Sequence, residues 1–172
     1  MTVQSILVAG IGNIFLGDDA FGCEVIKHLA SRSWSDNVRV IDFGIRGFDL
    51  AYALLEDYDV VIFVDATPKG EGPGTLYTIK LEVDEIDCND AQGPLIETHG
   101  MNPMKVLSMV KSMGGQFKEI LLVGCEPETF GPEEGQLGLS DSVAAAVPGA
   151  VAIVESLIAR YCKEKISIQS TN

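Results

Sequence analysis

The chain has 172 residues but only two histidines, one tryptophan and four cysteines, and its 12 lysines and arginines are outnumbered by 25 aspartates and glutamates. Each shortage excludes something. The cysteines, Cys23, Cys88, Cys125 and Cys162, form no C-x-x-C pair, which argues against a zinc knuckle, a redox dithiol or a secreted disulfide framework. They are expected to be mostly buried thiols. Neither H-E-x-x-H nor G-x-S-x-G occurs, so no helix-borne zinc protease site and no serine nucleophile elbow is encoded. A formal charge of −13 disfavours nucleic acid as a partner, because phosphate backbones are held by basic patches. Met1 to Gln4 lead straight into Ile6-Leu7-Val8-Ala9 with no basic region and no small-residue cleavage site, unlike a signal peptide. No uninterrupted apolar run approaches the roughly 18 residues of a membrane span. A cytoplasmic location without membrane contact is expected.

What remains is sufficient for one core. At 47% apolar and 22% charged the composition is globular, and a chain of this length folds without metal or disulfide staples. Residues 1–163 are expected to form one domain and 164–172 (EKISIQSTN) a flexible tail.

Apolar runs and turn residues alternate along the chain. Residues 5 to 10 read as a strand, followed by the turn Gly10-Ile11-Gly12-Asn13 and then by a helix carrying Phe21, Val25, Ile26 and Leu29. Val38 to Ile41 reads as a second strand, and Phe48 to Leu55 as a short helix. Asp59 to Val64 is a continuous apolar run that stops on Asp65, as expected of a central parallel strand covered on both faces. Leu76 to Leu81 and Ile120 to Gly124 add strands, with an acidic loop over Glu82 to Pro94. Asn102-Pro103 opens a helix to about Met113, and Ser140 or Ser142 caps a last helix in which Pro148 predicts a kink. Strands alternating with helices imply an α/β fold, a three-layer α/β/α sandwich around a mostly parallel twisted sheet.

In such sheets functional residues collect beyond the C-terminal strand ends. That rule selects Asp18, Asp19, Asp42, Asp65 and His99. Asp65, at the end of a dry strand, needs a partner or a cation to stay charged, unless it merely caps a turn. His99 precedes a helix N-terminus that favours the neutral, metal-binding imidazole; a hydrogen-bonding loop histidine is the alternative. His28, within the first helix, is expected to be solvated. Two carboxylates and one histidine suit a borderline divalent metal such as zinc or nickel with coordination positions left open. A dinucleotide fingerprint competes for the first loop, but Phe15 stands at its third glycine position and Asp18 and Asp19 would repel a pyrophosphate.

The run GIGNIFLGDDAFG, Gly10 to Gly22, resembles the opening of the nickel-iron hydrogenase maturation proteases. So do Asp42-Phe43-Gly44 with Gly47, the strand ending in Asp65-Ala66, His99 in its loop, and Val123-Gly124-Cys125-Glu126-Pro127 followed by Gly138-Leu139-Ser140. Ala20 replaces a glycine common in that family. The resemblance implies Asp19, Asp65 and His99 as metal-binding and catalytic residues. It implies as partner and substrate the precursor of a hydrogenase large subunit, whose own nickel serves as the metal, with zinc or another divalent ion able to substitute. Cleavage would release a C-terminal extension, with either a metal-bound water or an aspartate base supplying the nucleophile. A metal-binding module without peptidase activity and a nucleotide-binding domain are the competing classes.

Overall fold

In a computed structural model, residues 4–91, 96–97 and 100–167 are described. Five strands form the main sheet: β1 (Ile6–Ile11), β2 (Val38–Gly44), β3 (Val60–Ala66), β4 (Leu76–Leu81) and a late strand, Glu119–Cys125, called β7 below. Two short strands, β5 (Ile96–Glu97) and β6 (Gly100–Met101), form an antiparallel pair within the segment leading to the third helix. The main sheet has the order β2-β1-β3-β7-β4, parallel throughout except for β4 at its edge. The helices are α1 (Phe21–Ala30), α2 (Gly47–Leu54), α3 (Pro103–Ser112) and α4 (Asp141–Ser167).

Strand side chains alternate between two cores, as a period of two requires. Ile6 and Val8 of β1, Val60, Ile62 and Val64 of β3, and Leu121 and Val123 of β7 pack with α1 and α4. Leu7, Ala9, Val61, Phe63 and Ile120 pack on the other face with α2 and α3. The middle strands are therefore buried on both sides, which explains their unbroken apolar sequence. The expected sandwich is what forms.

Local signals explain the helix starts. The Asn102 side chain accepts from the amides of Met104 and Lys105 at 3.0 and 3.4 Å, with Pro103 at the first helical position where no amide donor is needed. At α4 Ser140 takes the expected position before the helix, its backbone carbonyl accepting from Ala144, but its hydroxyl is donated to Asp18. The helix also continues to Ser167, four residues into the segment read as a tail. Over Asp141–Lys163 it is long and apolar enough by composition to cross a membrane, a stretch the count of uninterrupted apolar residues misses because isolated polar residues break it. Its Val143, Val147, Val151, Val154, Ile158 and Tyr161 lie in the core, as in the core helix of a globular domain.

From β1 the chain leaves through α1 on one face to reach β2, and from β2 it returns through α2 on the other face to reach β3. Strand order thus reverses between β1 and β3, and the crevice beyond their C-terminal ends is the place where this architecture binds ligands.

Candidate active site

The register of the sheet brings three of the selected segments level. Asp42 of β2 pairs with Gly10 of β1, and Gly10 pairs with Val64 of β3, one residue before Asp65. Beyond β1 the chain turns at Gly12, whose φ is +148° and where a Cβ would collide with the carbonyl oxygen of Asp19. A side chain at Gly22 would likewise strike the carbonyls of Ile11 and Val64. These glycines let the turn and the start of α1 lie directly on β1 and β3, and so deliver Asp19 to the strand ends.

The acid pair splits into two roles. Asp18 is fully buried, and its carboxylate accepts four hydrogen bonds: the amides of Glu128 (2.8 Å), Thr129 (3.0 Å) and Ser140 (2.7 Å), and the Ser140 hydroxyl (2.9 Å). Its own amide donates to the Thr129 carbonyl. Four donors fill the acceptor sites of a carboxylate, so Asp18 ties the first loop to the segment between β7 and α4. Asp19, 7% exposed, accepts from the amide of Asn13 at 2.7 Å and lies close enough to Asp65 to disfavour the charge of that residue.

Asp65 is half-buried at the end of β3. Burial first, and the neighbouring negative charge of Asp19 second, push its carboxyl well above the usual carboxylate range, against a small opposing contribution from the Ala66 amide. Asp42 stands exposed at the same rim, accepting from the Gly44 amide at 2.9 Å, with Arg46 donating to its backbone carbonyl.

Cys23 is a member of this cluster that sequence reading left among the buried thiols. It is 5% exposed and donates to the Gly12 carbonyl. Burial, then the charges of Asp42, Asp19 and Asp65, hold its thiol far above the ordinary range. A thiol kept protonated in this way is not a nucleophile. The signal for its position was its spacing, four residues after Asp19 at the start of α1. Cys125 is also buried, its thiol pushed up to about 11 by burial and then by Asp18 and Glu126, whereas Cys88 is exposed and Cys162 intermediate.

His28 is exposed on α1, in a groove shared with Arg32 and with Val147, Pro148 and Val151 of α4, outside the carboxylate cluster as expected. His99 lies outside the described residues. Among the described residues no group of three or more His, Cys, Asp or Glu side chains has metal-binding geometry. The cluster therefore offers two close carboxylates, a third at its rim, and a neutral thiol.

Glu126, next to Cys125, is 5% exposed and accepts from the amides of Lys69 (2.7 Å) and Gly70 (3.1 Å) and from the Tyr77 hydroxyl (2.6 Å). The Tyr77 bond leads in holding its carboxyl below the ordinary range. It fastens the loop that follows Asp65.

Residues 23–157 match the family model described as hydrogenase maturation protease. The chain is 35% identical over 160 residues to a candidate hydrogenase maturation protease of Methanocaldococcus jannaschii, covering 90% of this chain and 96% of that one. It is 31% identical over 153 residues to the hydrogenase 2 maturation protease of Escherichia coli, covering 85% of each. Among solved structures, a hydrogenase 2 maturation peptidase from a Thaumarchaeota archaeon superimposes with a TM-score of 0.68 at 36% identity, over 91% of this chain and 99% of that one.

Proposed function

The chain belongs to the hydrogenase maturation protease family, and from that premise we propose that this endopeptidase removes the C-terminal extension of a nickel-iron hydrogenase large-subunit precursor once nickel is in place, recognising the metal through Asp19, Asp65 and His99. The observation that supports this reading best is the placement of Asp65 at the end of β3 within electrostatic reach of the buried Asp19, so that burial and the charge of Asp19 together disfavour ionised Asp65. A divalent cation brought to that point by the substrate reverses the electrostatic balance. Carboxylates and an imidazole suit nickel, and they leave coordination positions to the thiolates that the precursor itself supplies. The peptide bond beside the metal would then be held still for attack by water, activated either by the metal or by a carboxylate of the cluster acting as base.

Recognition of the metal gates cleavage by differential affinity. A preference of about 4 kcal/mol for the loaded precursor gives roughly a thousandfold discrimination. The test is the mobility shift of the precursor, loaded with nickel or free of it, incubated with the wild type and with the Asp19→Ala, Asp65→Asn and His99→Ala variants, with circular dichroism to verify folding. Only the loaded precursor should shift, and only with the wild type. Equal cleavage of both precursors removes nickel gating, and full activity of a folded His99→Ala variant removes that residue from the site. Titration of the isolated protein with nickel or zinc should show weak binding that Asp65→Asn reduces.

A further inference from the structure

Ile14, Phe15 and Leu137 are 49%, 60% and 73% exposed, and none belongs to either core. Scattered apolar residues on a surface are ordinary, but these three sit on two loops bound to each other. The Phe15 carbonyl accepts from the Gln136 amide at 2.8 Å, the Gln136 carbonyl accepts from the Gly17 amide at 2.9 Å, and Leu16 and Gln136 form a parallel bridge. Asn13 closes the first loop from within, its side-chain oxygen accepting from the Phe15 amide and its backbone carbonyl from the Leu16 amide. The same Asn13 donates its amide to Asp19. Asp18, one residue before Asp19, ties both loops to the start of α4.

An apolar surface fixed in this way has given up its conformational freedom before any partner arrives, and that is the condition under which contacts convert efficiently into affinity. The second loop is acidic: Glu133 and Glu134, four and three residues before Leu137, are exposed. Acidic neighbours on an incoming chain would be repelled, and basic ones drawn in.

We infer that Ile14 and Phe15, with Leu137 across the loop bridge, are specificity-determining residues that grip an apolar side chain, flanked by basic residues, in the precursor segment beside the scissile bond. The inference rests on the maturation reading above and deepens it. The proximity of the anchor to Asp19 through Asn13 means that the segment it holds is the one passing the carboxylate cluster.

The experiment measures KM, kcat and the dissociation constant for a nickel-loaded large-subunit precursor from the same genome, at low and moderate salt. It compares the wild type, Phe15→Ser, the double variant Ile14→Ser with Leu137→Ser, the conservative Phe15→Leu, and Met113→Ser, an exposed apolar residue at the far end of α3. Thermal melts should be unaffected in every variant. Phe15→Ser and the double variant should weaken binding about tenfold or more, as truncation of an anchor does, with the loss carried by KM. Phe15→Leu should restore most of it and Met113→Ser should match the wild type. Wild-type affinity should fall with salt. Unchanged KM and dissociation constant in Phe15→Ser, with the wild type active, overturn the anchor and leave the maturation reading standing; salt-independent binding overturns its basic flank. A wild type that neither binds nor cleaves any large-subunit precursor of its genome overturns both.

Discussion

Asp18 and Asp19 are neighbours in sequence and opposites in environment. The first disappears into a clasp of four donors at the base of α4; the second accepts from the Asn13 amide, and its negative charge adds to the burial that raises the carboxyl of Asp65. One region is a satisfied buried charge, which holds loops in register. The other places two acids within electrostatic reach of each other, and local conflict of that kind is characteristic of functional sites.

The contrast breaks most visibly at Asp18. Asp18→Ala strands several buried donors and should lower stability by about 3–5 kcal/mol, measured by urea denaturation, whereas Asp19→Ala should cost far less while losing cleavage. Similar losses in the two variants would erase the distinction. Next comes Asp65→Asn. Because the folded carboxyl of Asp65 is raised above its unfolded value, its contribution to stability is fully present below an unfolded pKa of about 4 and is lost as pH rises through the folded one. The neutral asparagine escapes that loss. In metal-free protein the variant should therefore match the wild type near pH 4 and exceed it at neutral pH, by roughly 0.5–2 kcal/mol as is common when a functional site is relaxed, with melting temperatures across pH as the readout.

Smaller effects sharpen the comparison. Ser140→Ala removes the hydroxyl donor of the clasp and should cost about 1–2 kcal/mol in the same denaturation assay, without changing kcat on the loaded precursor. Last, Cys23→Ala should leave cleavage within about threefold, because a protonated thiol supplies no nucleophile. Iodoacetamide mapping of the native protein should modify Cys88 well before Cys23 or Cys125, and rapid alkylation of Cys23 would contradict its burial.

Much of the fold was legible because the strands are covered on both faces and their sequences are correspondingly unbroken, as in the run ending at Asp65. The Asn102-Pro103 start of α3 was equally plain, since its cap is made by residues two and three positions away. Ser140 stands where a cap is expected, but the partner of its hydroxyl, Asp18, lies 122 residues earlier. No local pattern carries that information. The resemblance alone singles out Asp19 from the acid pair, and the structural part of Asp18 appears only when the donors from the segment before α4 are seen to fill it. Cys23 was overlooked for a related reason: a single cysteine in an apolar helix is usually core, and three aspartates from three separate strand ends meet it only after the sheet has formed.

The Asp18 clasp also sets an order of assembly. Its donors lie 110 to 122 residues downstream, and contacts of such separation form late, after the loop-closure entropy between them has been overcome. During synthesis, residues 1–65 already contain both crowded aspartates, but the loop that positions Asp19 cannot be fastened until Ser140 has emerged from the ribosome. If Asp19 serves the site proposed above, a chain cut short before Ser140 would lack the clasp that holds it in place.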